Sequence, residues 1–194
     1  GVKTMLSYNE LKVGILFSFE GNPYEVLDYE FLRMQQRKPV AKTRIKNLIT
    51  GQVIEKNFHQ NETLKEIEID KTNIIYLYSH NDEYWFCEKG NPKNRFKLPL
   101  SKFGEGIKFI KSNTEVLAMK LGELILSVKL PVKVEVKVKE VPQGERGNTA
   151  QGGSKMADLE TGAQVPVPLF VNTGDIIRVN TDTGEYVERV EKAK

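Results

Sequence analysis

Cysteine occurs once in this sequence, tryptophan once and histidine twice. A lone cysteine excludes an intrachain disulfide framework and fits a reducing compartment, and the setting of Cys87 in YWFC points to packing over reactivity. His59 falls in a strand-like run and His80 in a turn, with no second ligand at metal spacing beside either. Each reads as structural, and no metal is expected. Apolar runs stay well short of the ~20 residues of a membrane-spanning helix. The amino-terminal stretch GVKTMLSYNE has no apolar core of the kind a signal peptide carries, which sets the expectation of a cytoplasmic protein with no membrane partner. Helical periodicity is missing over any run of ten residues or more. Gly152-Gly153 before Ser154-Lys155 lacks the spacing of a phosphate-binding loop and opens no helix. With no nucleophile set beside a base, the chain is expected to be neither an enzyme nor a cofactor carrier.

Acid is missing from one stretch in particular. Residues 33–46, RMQQRKPVAKTRIK, hold Arg33, Arg37, Lys38, Lys42, Arg44 and Lys46 with no Asp or Glu. The preceding PYEVLDYEFL at 23–32 alternates apolar and polar residues, and a second extended run leads on to Thr50-Gly51, so both flanks read as strands. A long hairpin then presents the tip Met34-Gln35-Gln36-Arg37, whose side chains are long and polar and include no nucleophile or general base near neutral pH. Such a tip serves contact, not chemistry. A charge run is ordinarily a solvated face. The complete lack of carboxylates makes a polyanionic partner an equal alternative on composition alone.

At 39% hydrophobic and 28% charged, the chain has the profile of an ordinary globular protein with material for real cores. Net charge is only +3, unevenly spread: ten basic and ten acidic residues in 1–70, ten against six in 71–130, nine against ten in 131–194. Besides the finger, Lys89, Lys93, Arg95, Lys97, Lys102, Lys108 and Lys111 face the single acid Glu105 within 89–111. Two basic patches on a balanced surface suit docking on nucleic acid along one side.

In order, the sequence predicts strands at Ile15 to Glu20, Pro23 to Leu32, Lys42 to Leu48, Val53 to Phe58 and Glu66 to Ile69, the content of a small barrel. A second group follows at Ile74 to Tyr78, Glu83 to Glu88 and Arg95 to Leu98, then a short helical turn over 101–111 and a hairpin of Thr114 to Leu121 with Leu124 to Lys129. The third opens with VKVEVKVKEV at 132–141, whose alternation of Val with charge marks one buried and one wet face. Residues 142–154 read as a long loop, followed by strands at Val165 to Val171, Ile176 to Asn180 and Tyr186 to Val190. The expected architecture is all-β: three consecutive small β-barrels over 1–70, 71–130 and 131–194, and five-stranded barrels of this size commonly bind oligonucleotides. Tyr76, Tyr78, Tyr84, Trp85 and Phe86 are expected to pack in a core and not to form a base-stacking platform.

Several segments carry a family likeness. NTAQGGSK at 148–155 and ETGAQVPVPLFVNTGDIIRVNTDTGEYVERV at 160–190 resemble the carboxy-terminal domain of bacterial elongation factor P, and SYNELKVG at 7–14 with TRIKNLITG at 43–51 resemble its first domain. The resemblance implies an SH3-like first domain followed by two OB-fold domains. It implies a monomeric factor that contacts both ribosomal subunits and peptidyl-tRNA, and stimulates peptide-bond formation, especially at consecutive prolines, by positioning the tRNA acceptor end. Many relatives read KPGKG at the hairpin tip, with the last Lys extended by modification, and others carry a modified Arg there. Ungapped counting from Lys46-Asn47-Leu48 puts Gln36 at that position, between Gln35 and Arg37 where Gly would sit; a one-residue slip brings Arg37 there instead. Gln has no amine to acylate.

By the same resemblance Arg33, Arg37, Lys38 and Lys42 would pair with phosphates, and Gln35 and Gln36 would hydrogen-bond a ribose 2′-hydroxyl or base edge. Gly147-Asn148-Thr149 aligns with a family loop that lies near the small subunit and reads Gly-Asp-Thr. Tyr186 and Arg189 are further candidates for RNA contact, with packing and surface roles equally open. A reading of a different class, a general RNA-binding or RNA-chaperone protein built from the same barrels, stays beside this one.

Overall fold

The computed structural model describes residues 4–142 and 153–194. The chain divides into two compact units, Gly1–Asp70 with Leu121–Leu126, and Lys71–Lys120 with Ser127–Lys194. The fold is all-β, with three antiparallel sheets, as the alternation and turn spacing predict.

The first sheet runs β1-β6-β2-β3-β4-β5, from β1 (Met5–Ser7), β2 (Leu16–Phe19), β3 (Asn22–Leu32), β4 (Val40–Asn47), β5 (Val53–His59) and β6 (Thr63–Glu66). Strand β4 shows why this sequence makes a sheet. Ala41, Thr43, Ile45 and Asn47 are buried and Lys42, Arg44 and Lys46 exposed, so a period of two sends the apolar set inward. The two buried polar members are satisfied: the Thr43 hydroxyl donates to the Lys56 carbonyl at 2.7 Å, and Asn47 Oδ1 accepts from the backbone N–H groups of Ile49 and Thr50. Phe17, Val26, Ile45 and Phe58 are fully buried, and Phe17 and Phe58 meet edge to face at 5.8 Å. One strand lies earlier than expected. The strand placed at Glu66 to Ile69 is Thr63–Glu66, because a turn closed by Glu62 N–H on the His59 carbonyl reverses the chain at once and lets Leu64 reach the core.

The second sheet runs β11-β10-β7-β8-β9, from β7 (Asp70–His80), β8 (Glu83–Glu88), β9 (Asn91–Leu98), β10 (Thr114–Leu121) and β11 (Leu124–Lys129). Asn81 and Asp82 both have positive φ, the requirement of the tight turn that joins β7 to β8 without splaying them. The expected helical turn is two 3-10 segments, Leu100–Lys102 and Glu105–Phe109.

The third sheet runs β14-β13-β12-β15-β16, from β12 (Lys133–Glu140), β13 (Ser154–Leu159), β14 (Gln164–Pro168), β15 (Ile176–Asn180) and β16 (Glu185–Glu191). Strand β13 begins where the sequence reads as the end of a loop; its alternation is masked by the small Ala157, and pairing with β12 and β14 supplies what local pattern lacks. Strand β14 stops at Pro168, short of the expected Val171, because the Val171 N–H turns back onto the Pro168 carbonyl. The core of this sheet also takes Phe109, 1% exposed, from the second 3-10 segment. A Cβ at Gly106 would meet the Thr181 carbonyl oxygen at 2.6 Å, so this segment lies directly on the third sheet and tolerates no side chain there.

Candidate nucleic-acid interface

The basic finger is the β3–β4 hairpin. Cross-strand partners run Glu25 with Lys46, Asp28 with Arg44, Glu30 with Lys42 and Leu32 with Val40, and on the other side of β4 Arg44 faces Glu55. Arg44 closes a salt bridge of 2.7 Å to Asp28. The run that is free of acid along the chain is therefore flanked by acid across the sheet, and the cations of β4 sit on a largely neutralised face.

Beyond Leu32 and Val40 the ladder ends, and residues 33–39 carry the hairpin round. Arg33, Met34, Gln35, Gln36, Arg37 and Lys38 are all exposed, and among the described residues Arg33, Arg37 and Lys38 make no ion pair. The Arg37 N–H donates to the Met34 carbonyl at 3.3 Å, closing a four-residue turn over the tip expected from sequence. Gln36 holds φ at +69° in the third position of that turn. A non-glycine residue in the left-handed region costs roughly 1–2 kcal/mol. The tip thus concentrates three uncompensated cations, two amides and the exposed Met34 at the end of a two-stranded stem. It offers charge and hydrogen bonds, and no group able to take a proton near neutral pH.

Tyr186 and Arg189 lie in the other unit, on β16. Tyr186 is half-buried against the third core, and burial pushes its phenol pKa up, with smaller and opposing influences from Arg189, Glu188 and Asp175. Arg189 donates to the Phe170 carbonyl at 3.0 Å and to Asp175 Oδ2 at 3.4 Å, and its guanidinium lies 4.8 Å from the Phe170 ring centre. Asp175 is 1% exposed. Burial alone would raise its carboxyl pKa and is the largest single influence. Hydrogen bonds from the backbone N–H groups of Asn172 and Ala193, together with the Arg189 guanidinium, outweigh it and hold the pKa below its ordinary value. Arg189 is thereby committed to internal partners, with Phe170 exposed beside it. Gly147, Asn148 and Thr149 lie outside the described residues. Among the described residues no group of three or more His, Cys, Asp and Glu is placed to hold a metal ion, and no helix is long and apolar enough to cross a membrane.

Residues 7–64 match the family model described as the elongation factor P KOW-like domain, and residues 134–189 the model described as elongation factor P, C-terminal. A protein of Carboxydothermus hydrogenoformans named elongation factor P is 36% identical over 186 residues, which cover 96% of this chain and all of that protein. One of the same name from Thermodesulfovibrio yellowstonii is 37% identical over 188 residues, 97% of this chain and again the whole relative. Among solved structures, the eukaryotic-type translation initiation factor 5A of Methanococcus jannaschii superposes with a TM-score of 0.52 at 19% identity, over 65% of this chain and 96% of that one. That likeness concerns the fold, and with the KOW-like match it fits an SH3-like domain followed by OB-fold domains.

Proposed function

The chain belongs to the elongation factor P family of translation elongation factors, and from that premise we propose that it binds the ribosome next to peptidyl-tRNA and speeds peptide-bond formation, above all at consecutive prolines. The observation that carries this reading is the finger tip, where Arg33, Arg37 and Lys38 are exposed at the end of a paired stem with no ion-pair partner among the described residues.

Arg33, Arg37 and Lys38 engage phosphates of the tRNA acceptor end, with Lys42 adding its charge from the stem, and Gln35 and Gln36 bond a 2′-hydroxyl or base edge. Proline is a constrained and poor nucleophile, so a peptidyl-tRNA whose end wanders spends little time in reactive geometry. Holding that end lowers an entropic barrier with no catalytic group supplied by the factor. The ribosome remains the catalyst. Gln36 works unmodified, since an amide offers both a donor and an acceptor but nothing to acylate.

The SH3-like domain spans 1–70 and the OB-fold domains 71–130 and 131–194, in a cytoplasmic monomer. Gly147-Asn148-Thr149 touches RNA of the small subunit. Arg189 stiffens β16 through Asp175 and Phe170, and Tyr186 presents the neighbouring edge to RNA. The test is a reconstituted translation reaction on a template with consecutive prolines: added factor should accelerate product formation, and Gln36→Ala should slow it several-fold, the worth of about 1 kcal/mol for one net hydrogen bond. The competing RNA-chaperone reading gains if the factor binds tRNA yet neither co-sediments with ribosomes nor alters the rate.

A further inference from the structure

The second sheet has two faces of different character. On one, Tyr76, Phe86 and Phe96 are cross-strand neighbours, with ring centres 5.4 Å apart for the first pair and 6.3 Å for the second, and Phe103 covers them at 5.4 Å from Phe86. This is the buried face. The other carries Tyr78 opposite Trp85 and Trp85 opposite Lys97, with Arg95 two residues along on the same side. Here the aromatics are not enclosed: Tyr78 is 42% exposed and Trp85 half-buried, their ring planes inclined by only 26° with centres 6.3 Å apart. The two rings stack on one another, and Tyr78 keeps much of its ring open to solvent. Composition alone placed both in the core, and the bulge between Tyr76 and Tyr78, which shifts the register by one residue, is what puts Tyr78 on the outer face.

Cations border this surface. β9 is the edge strand of the sheet, and its Lys93, Arg95 and Lys97 are exposed. The Lys97 ammonium sits 5.4 Å from the Trp85 ring centre and 2.9 Å from Glu83, so it is already poised over the aromatic face. Among the described residues Arg95 makes only a 3.3 Å bond, from its Nε to the Pro92 carbonyl, which leaves both terminal nitrogens available. Charged residues on an edge strand discourage strand-to-strand aggregation. That role needs no open aromatic pair beside them.

We propose that Tyr78, Trp85, Arg95 and Lys97 form a binding site for unpaired RNA nucleotides, separate from the finger. A base stacks on the open part of the Tyr78 ring, extending the Tyr78–Trp85 stack, and Arg95 and Lys97 take the phosphates, Lys97 exchanging its Glu83 partner for one of them. Stacking on a ring face is tolerant of base identity, so the site selects single-stranded over duplex RNA and little else.

Trp85 is the one tryptophan of the chain, so its fluorescence reports this site alone. The protein is titrated with a ten-nucleotide single-stranded RNA, with a duplex of the same length, and with polyglutamate, which has charge and no bases. Saturable quenching by the single strand only is expected, weakening as salt rises. Tyr78→Ala should raise the dissociation constant roughly ten-fold. Arg95→Ala with Lys97→Ala, both at exposed positions, should raise it and flatten the salt dependence, which keeps the test valid if Tyr78→Ala misfolds. Quenching by polyglutamate as strong as by RNA would point to an acidic protein partner and overturn the proposal, as would no quenching at all, or RNA binding lost with Arg33→Ala and Arg37→Ala but indifferent to Tyr78 and Arg95. Because the readout requires no ribosome, its failure leaves the stimulation of peptide-bond formation untouched, and failure of that stimulation leaves this site untouched.

Discussion

Removing cations from the finger should have effects that depend on position, not on number. Arg33, Arg37 and Lys38 have no ion-pair partner among the described residues, whereas Arg44 lies 2.7 Å from Asp28 and faces Glu55, and Lys46 faces Glu25. Each tip cation that meets a phosphate releases condensed counterions, contributing about 0.7 to the slope of log K against log salt for a single strand and about 0.9 for a duplex. The triple change Arg33→Ala, Arg37→Ala, Lys38→Ala should therefore flatten the slope by roughly 2–3. The pair Arg44→Ala, Lys46→Ala should flatten it by well under 1 per residue, since Arg44 is already paired with Asp28 and Lys46 stands opposite Glu25, and those carboxylates disfavour a phosphate there. Filter binding of tRNA over a series of salt concentrations measures both. Thermal unfolding of each variant guards against loss of the sheet, and exposed ion pairs such as Arg44 with Asp28 are worth only about 0–1 kcal/mol. Equal slopes for the tip and stem variants would refute the reasoning, because binding would then follow total charge and not its exposure.

Gln36→Gly should leave the tip turn intact and stabilise the first unit by up to ~1 kcal/mol, the left-handed strain relieved less the added freedom of the unfolded chain; a fall in melting temperature would contradict it. Phe17→Ala, which empties a fully buried site against Phe58, should cost about 3–5 kcal/mol by denaturant unfolding. The lowered carboxyl pKa of Asp175 gives a definite sign with pH: the group binds its proton less readily folded than unfolded. Its contribution is present above the unfolded pKa near ~3.9 and lost as pH falls through the folded value. Asp175→Asn should remove that acid-side loss from a titration of stability against pH, and an unchanged profile would show that other carboxylates govern it. Asn148→Ala should weaken activity on consecutive-proline templates with little change in melting temperature, and a large loss of stability would mark it as a structural turn instead.

The strands that alternate strongly were legible in the sequence. VKVEVKVKEV and VAKTRIKN each declare a wet face and a buried one, and turn residues at Asn81-Asp82 and Thr50-Gly51 set the hairpins between strands. Strand β13 was not legible, because a small alanine on its inward face weakens the period and the strand exists through its neighbours. The same limit applies to the finger. Its basic run is visible along the chain, but the carboxylates of Glu25, Asp28, Glu30 and Glu55 come beside it only through pairing of β3 and β5 with β4. Cross-strand charge alternation in YEVLDYE and VIEK was the available signal, and it needed the register to be read. Tyr78 escaped for a related reason: a one-residue bulge decides which face its side chain takes, and composition is blind to it.

Rate measurement on a consecutive-proline template, with factor expressed in a host lacking any enzyme that modifies the tip, bears most directly on the proposed role. Acceleration by this unmodified protein, reduced several-fold in Gln36→Ala, is the expected result. Inactive recombinant protein beside active native protein whose mass is increased on a peptide containing Arg33 or Arg37 would contradict it, and would place a modified arginine at the working end of the finger.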